Sequence, residues 1–269
     1  MKNNSAAVAA TSLVLLAVVI AYSFAAHSRN FVWSDPLTMW RDTVTKSPMK
    51  GRAHYNYATV LVGAGQFEKA LEENLKAVEI TPGYARAHFN IGAILHVWGR
   101  NDEAAARYKL AIELKPDLAE AHLNLGFIYY TKGLLKEAMS EYALAARLKP
   151  TNPKVYVNMG NIYRDTGMPE KALAEYSKAL SYDPANVQAI MNIGGILIKT
   201  GRAMEALQEF RQAIALDPGL AEAHYMLGGA LIALGRTKEA RAELEAAMML
   251  DPGHEGAREA FIRLNNGKY

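Results

Sequence analysis

A repeat of 34 residues constrains the fold of this chain more than any other feature. It runs without insertion or deletion from Gly51 to His254 and divides that stretch into six blocks. Small residues return at positions 8, 20 and 27 of each block, while position 15 is always glycine and position 32 always proline. Small residues let helix backbones approach closely, glycine is favoured where a helix ends in a left-handed conformation, and proline cannot extend a helix. The pattern therefore predicts two helices per block, and the blocks must stack because a single helix pair cannot bury its apolar face alone.

Position 24 of the blocks supports this interpretation, because large side chains there fill the space that the small residues leave. These are Tyr108, Tyr142, Tyr176 and Phe210. The recurring positions resemble the tetratricopeptide-repeat (TPR) family over residues 51–254. The resemblance implies an all-α fold, a TPR superhelical solenoid, and a role in binding other proteins. The six repeats would be residues 51–84, 85–118, 119–152, 153–186, 187–220 and 221–254.

Both ends of the repeat array carry signals of a capping helix. Asp35 followed by Pro36 is typical of a helix start, so residues 27–50 are predicted to form a juxtamembrane linker and a capping helix. Residues 255–269 are predicted to form a C-terminal capping helix, which Asn266-Gly267 would stop. Its packed face would carry Ala257, Phe261 and Leu264.

An uncharged apolar segment lies near the N-terminus, after a tail of residues 1–5. It comprises residues 6–26, and a helix of this length spans roughly 30 Å, enough to cross a bilayer core. We expect a transmembrane signal anchor that contacts the lipid bilayer. A cleaved signal peptide is the alternative, because Ser23-Phe24-Ala25 offers small residues at a cleavage site.

Two signals disagree about the side of the membrane on which the repeats lie. Lys2 precedes the apolar segment, whereas Arg29 and Arg41 follow it, and this balance weakly favours a cytoplasmic C-terminal side. The junction, with Trp33, Trp40 and Ser47-Pro48 among its residues, resembles the linker between the membrane and TPR parts of O-mannosyltransferase-like membrane proteins. That resemblance implies an extracytoplasmic (periplasmic or lumenal) side, which we adopt. The resemblance does not imply transferase activity, because this chain has one apolar span, whereas those proteins have many.

Several classes of function find no support in the sequence. The chain has no cysteine, and its net charge of +3 is too small to argue for nucleic acid. Four histidines occupy position 4 of their repeats and are expected to pack between helices, too far apart to share a metal ion. They are His54, His88, His122 and His224. No nucleotide-binding, metalloprotease or hydrolase motif occurs, so we expect no catalytic residue, no metal and no cofactor.

Asparagine recurs at position 6, on the helix that lines the groove in the TPR family. The copies are Asn56, Asn90, Asn124, Asn158 and Asn192. They resemble the asparagine ladder of O-GlcNAc transferase, which holds the backbone of an extended peptide. An amide can donate and accept a hydrogen bond, so it can pair with any peptide unit. The aromatic and basic residues predicted to line the same groove are Tyr55, Phe89, Phe127, Tyr130 and Arg164.

Three functions are compatible with these features. The leading one is a membrane-anchored TPR scaffold or adaptor, without catalysis, that binds a protein or peptide in its concave groove. The first alternative is an accessory subunit or assembly factor of a larger membrane complex, held by its outer face or its apolar span. The second is the separated TPR half of a membrane glycosyltransferase.

Overall fold

The computed structural model describes residues 35–266, together with residues 22, 23 and 33. Within this part of the chain there are fourteen α-helices and no strand. The helices are α1 (Pro36–Lys46), α2 (Gly51–Gly63), α3 (Phe67–Ile80), α4 (Ala85–Val97), α5 (Asn101–Leu114), α6 (Ala119–Thr131), α7 (Leu135–Leu148), α8 (Pro153–Asp165), α9 (Pro169–Tyr182), α10 (Val187–Lys199), α11 (Ala203–Leu216), α12 (Ala221–Ala233), α13 (Thr237–Leu250) and α14 (Glu255–Asn265). Each 34-residue block holds one helix pair, so the predicted all-α repeat fold is confirmed.

The glycine at position 15 ends the first helix of every repeat, as predicted. All six copies have a positive φ, between 71° and 76°. The amide after each glycine donates to a carbonyl five residues earlier, as in the 2.9 Å bond from Gln66 N to Leu61 O. This bond satisfies a carbonyl that the helix end would otherwise leave unpaired. A residue with a Cβ would be strained at this φ, which explains why glycine never varies there.

Positions 8 and 24 contact each other within each repeat, and their sizes are matched. A Cβ added to Gly126 would lie 2.7 Å from the ring of Tyr142, and one added to Gly92 would lie 2.8 Å from the ring of Tyr108. The first repeat has Ala58 at position 8 and the smaller, fully buried Asn74 at position 24. A larger residue on one helix is therefore accompanied by a smaller one on the other.

The chain divides into two compact units, and the first, Met1–Pro116, contains α1 to α5. Helix α1 packs on α2, α2 pairs with α3, and α4 pairs with α5. Asp35 caps α1, because its Oδ2 accepts a 2.9 Å hydrogen bond from the amide of Thr38. Leu61, Ala70 and Ile94 form the centre of an apolar cluster in this unit. The helix over Pro36–Lys46 lies within residues 27–50, the range predicted to hold a linker and a capping helix.

The second unit, Asp117–Tyr269, contains α6 to α14. Its first helices α6, α8, α10 and α12 contact one another in succession and form one side of the unit. The C-terminal helix α14 buries Ala257 and Leu264 and exposes Arg258, as predicted for a helix that ends a stack.

No helix among the residues that the structure describes is long and apolar enough to cross a membrane. The expected anchor, residues 6–26, lies outside the described residues apart from Tyr22 and Ser23, and so does the tail of residues 1–5. Membrane anchoring stays a prediction.

Candidate partner-binding surface

The position-4 histidines hold the helix pairs together through hydrogen bonds as well as packing. In the first unit, His54 Nδ1 lies 2.5 Å from a carboxylate oxygen of Glu73, and its Nε2 lies 2.9 Å from the carbonyl of Pro48. In the second unit, His122 pairs with Glu141 at 2.6 Å. His224 repeats the arrangement with Glu243, at 2.7 Å. Each ring therefore joins the two helices of its repeat, which is a structural role.

These glutamate partners were not predicted from the sequence. They occupy position 23, nineteen residues after the histidine, where five of the six repeats have glutamate and the repeat of His88 has Arg107. Glu175 and Glu209 occupy the same position in the two repeats that have Tyr156 and Ile190 in place of histidine. Burial raises the pKa of both carboxyls, and Glu175 Oε2 is buried without a hydrogen-bond partner within the described residues.

A cavity of about 570 Å³ opens on the first-helix side of the second unit. Buried Leu123 and Val157 form its apolar floor, while the ring of Phe127 is 39% exposed beside it. Asn124 on α6 and Asn158 on α8 also line it. The remaining wall comes from Lys154 and from residues around the start of α10, which are Asp183, Ala185, Asn186, Val187 and Gln188. The structure thus brings together three of the predicted binding residues, Asn124, Phe127 and Asn158.

The amide of Asn158 contacts one buried polar group of the protein. It lies beside the hydroxyl of Tyr142, which is fully buried and has no well-aligned partner within the described part of the chain. Burial raises the pKa of this hydroxyl well above its usual value, so it stays protonated and can donate. A primary amide has two N–H donors and an acceptor oxygen, so Asn158 retains hydrogen-bonding groups for a ligand beside its contact with Tyr142.

Asn192, by contrast, is already engaged inside the protein. Its Oδ1 accepts from Arg164 Nη1 at 3.1 Å, and its Nδ2 donates to Asn161 at 3.1 Å. The hydroxyl of Tyr176 also donates to Asn161, at 2.8 Å. A ligand that used the amide of Asn192 would have to displace these bonds.

Arg164 and Tyr130 belong to the same network, where both contact Asp165. Arg164 Nε donates to Asp165 Oδ1 at 2.9 Å, and the hydroxyl of Tyr130 donates to Oδ2. Burial of Asp165 opposes ionisation, but these two hydrogen bonds outweigh it and hold the pKa of the carboxyl below its usual value. The positive charge predicted for the groove at Arg164 is therefore balanced locally by Asp165.

In the first unit, the predicted binding residues lie half-buried on α2 and α4. The ring of Tyr55 meets Tyr84 edge-on, with 4.9 Å between centroids, and the ring of Phe89 lies 5.6 Å from that of Tyr108. Asn56 and Asn90 are half-buried at equivalent places on these two helices.

Sequence models of known families match most of the repeat region. One described as TPR repeat matches residues 99–133. Four described as tetratricopeptide repeat match residues 51–73, 119–152, 157–221 and 197–260. Together they cover more than half of the chain. A search of curated proteins gives no match.

Three solved structures with the same fold have between 17% and 27% sequence identity to this chain. YrrB, described as a TPR protein with an unusual peptide-binding site, is 27% identical with a TM-score of 0.57, over 70% of this chain and 96% of its own. PilF of Pseudomonas aeruginosa is 19% identical with a TM-score of 0.70, over 78% of this chain and 95% of its own. A chain of the APC/C Cut9–Hcn1 hetero-tetramer is 17% identical with a TM-score of 0.71, over 84% of this chain and 45% of its own.

Proposed function

We propose that this chain, which belongs to the tetratricopeptide-repeat family, is a non-catalytic scaffold that binds a peptide segment of a partner protein in the cavity of its second unit. One observation carries the proposal: the cavity combines an apolar floor, a partly exposed aromatic ring and two asparagine amides on adjacent first helices. The resemblance to YrrB, a protein described as peptide-binding, supports this assignment.

The cavity suits an extended peptide for a physical reason. Asn124 and Asn158 each carry an amide that can pair with a peptide N–H and C=O without regard to sequence. Leu123, Val157 and Phe127 provide apolar surface for a side chain of the peptide, which supplies the favourable burial. Lys154 and Asp183 add charges of opposite sign to the lining, and these can fix the direction of the bound segment.

The membrane anchor is part of the same proposal, with the repeats on the extracytoplasmic side. It is supported by the uncharged run of residues 6–26 and by the resemblance of the junction that comes after it. An anchor would confine the scaffold, and any partner that it binds, to the membrane surface.

The test is co-purification of the full-length protein from gently solubilised native membranes, with mass spectrometry of what it retains. We compare wild type with Asn124→Ala/Asn158→Ala, which removes both cavity amides. The matched control is Gln208→Ala/Gln212→Ala, which removes two amides from the exposed face of α11 in the same unit. We expect the cavity variant to lose about 90% of a stoichiometric partner and the control to keep it, as the loss of two hydrogen bonds to a ligand predicts.

Retention of the partner by the cavity variant would contradict the proposal. It would favour the first alternative, a subunit of a membrane complex held by its outer face or its apolar span. Circular dichroism of both variants shows whether any loss arises from misfolding.

A further inference from the structure

A second cavity, of about 450 Å³, lies in the first unit and has a strongly positive lining. Arg52, Arg86 and Lys115 contribute basic side chains, Tyr84 and Leu114 contribute apolar surface, and no acidic residue takes part. It is formed where α2 and α4 begin and where α5 ends. It shares no lining residue with the cavity of the second unit, so a ligand could bind here whether or not the proposed function is correct.

The charges of Arg52 and Arg86 both affect the hydroxyl of Tyr84. Burial and the neighbouring Tyr55 raise the pKa of the Tyr84 hydroxyl, while the positive charges of Arg52 and Arg86 pull it down. Both guanidinium groups therefore lie close enough to Tyr84 to stabilise the ionised form of its hydroxyl electrostatically. The net shift is upward, so Tyr84 stays protonated at neutral pH and can donate a hydrogen bond.

Neither arginine is neutralised by a residue that the structure describes. Both are exposed, and within residues 35–266 neither forms a hydrogen bond or an ion pair. Some arginines are paired with a carboxylate: Arg100, in the same unit, binds Glu103 through two hydrogen bonds of 2.7 Å. Arg202 and Arg236 bind Glu205 and Glu239 in the same way in the second unit. Two guanidinium groups held near one tyrosine without a carboxylate are available to an anionic ligand.

The repeat pattern does not require this arrangement. Position 2, which holds Arg52 and Arg86, is Glu120, Lys154, Gln188 and Glu222 in the second unit. Position 34 is tyrosine only in the first repeat, as Tyr84. The other repeats have Leu118, Asn152, Asn186, Leu220 and His254 there. The charge is thus a property of this cavity and not a consequence of how the repeat folds.

We propose that this cavity is a second binding site, which takes the paired carboxylates of an acidic segment in a partner protein. Arg52 and Arg86 would each bind a carboxylate through parallel N–H···O bonds, and the Tyr84 hydroxyl would donate a further bond. The apolar surfaces of Tyr84 and Leu114 suit the hydrocarbon part of a glutamate side chain. A cavity that combines guanidinium groups with apolar surface favours a peptide over the flat charged surface of a bilayer.

The experiment measures fluorescence anisotropy of a dye-labelled peptide with four glutamates among eight residues, added to the purified full-length protein. The same peptide with glutamine in place of glutamate is the ligand control. Arg52→Gln/Arg86→Gln removes the two guanidinium groups. Lys69→Gln/Arg100→Gln removes the same charge from exposed positions of the same unit and serves as the protein control.

We expect the glutamate peptide to bind and the glutamine peptide not to. The affinity should fall at least about tenfold in Arg52→Gln/Arg86→Gln and less than about twofold in Lys69→Gln/Arg100→Gln. Tyr84→Phe, which keeps the ring, should lower it about threefold through loss of one hydrogen bond. Circular dichroism confirms that each variant is folded.

Three results would contradict the proposal that this cavity binds an acidic segment. Equal binding by wild type and Arg52→Gln/Arg86→Gln would place the peptide elsewhere. Equal losses in that variant and in the Lys69/Arg100 control would mean that only net charge attracts the peptide. Binding of vesicles containing phosphatidylglycerol, lost in Arg52→Gln/Arg86→Gln while the peptide does not bind, would assign the site to lipid headgroups.

Discussion

The two units have the same repeat frame but line their cavities with different residues. Both use glycine at position 15 and alanine at positions 20 and 27, so their helix pairs are alike. The differences lie at positions that the frame leaves open. Position 9 is Thr59 and Ala93 in the first unit, whereas the first repeat of the second unit has Phe127 there, and position 2 is arginine twice in the first unit only. The frame therefore determines how the helices pair, and the variable positions determine how each cavity is lined and which ligand it suits.

The largest effect that we predict concerns the frame itself. Tyr142 is fully buried against Gly126, so Tyr142→Ala leaves a cavity and should lower the free energy of unfolding by about 3–5 kcal/mol. The equivalent change in the first repeat, Asn74→Ala, should cost no more than about 1 kcal/mol. Asn74 donates one 2.9 Å bond to Ala70 O, but its Oδ1 is already unpaired within the described residues.

Urea unfolding followed by circular dichroism measures both variants. Similar decreases in the free energy of unfolding for Tyr142→Ala and Asn74→Ala would show that position 24 contributes equally to stability in the two units. That result would contradict the inferred matching of side-chain size between positions 8 and 24.

We expect an intermediate effect, on partner affinity, from a substitution at position 9, which varies between repeats. Phe127 is partly exposed beside the cavity floor of the second unit, and its truncation to alanine should weaken binding of the co-purified partner about tenfold. Thr59→Ala changes the same repeat position in the first unit and should leave that affinity unchanged. The comparison uses titration of the purified partner into each full-length variant. A loss of affinity in Thr59→Ala as large as in Phe127→Ala would remove the distinction between the two cavities.

The helices were predictable because their signals are local. Gly65 and Pro82, for example, end helices through their own backbone properties, and the 34-residue spacing then repeats the same outcome. The family and the all-α fold follow from these positions and are confirmed by the structure and the matching family models.

The site was predictable only in part, because its contacts join residues that are far apart in the sequence. Asn158 and Asn192 look equivalent by position, yet Asn192 is bound by Arg164, twenty-eight residues earlier. Asp183 directly after α9 and Gln188 in the first turn of α10 also line the cavity, although neither stands out in the repeat. Which amide stays available depends on such neighbours, and periodicity does not encode them.

The smallest effect that we predict concerns the thermal stability of the repeats without a histidine at position 4. Burial raises the pKa of Glu175, so its ionised form destabilises the fold at neutral pH. Glu175→Gln should therefore raise the thermal midpoint slightly at pH 7.5. Glu141→Gln, which removes the carboxylate that binds His122 at 2.6 Å, should lower it.

The sign of the pH dependence follows from the direction of the shift. A carboxyl whose pKa is higher in the folded state binds its proton more tightly there, so stability rises as the pH falls through the folded pKa towards the unfolded value. The advantage of Glu175→Gln over wild type should accordingly shrink between pH 7.5 and pH 4.5. Differential scanning calorimetry at both pH values measures it, and an advantage that is unchanged at pH 4.5 would mean that the gain does not come from removing a buried charge.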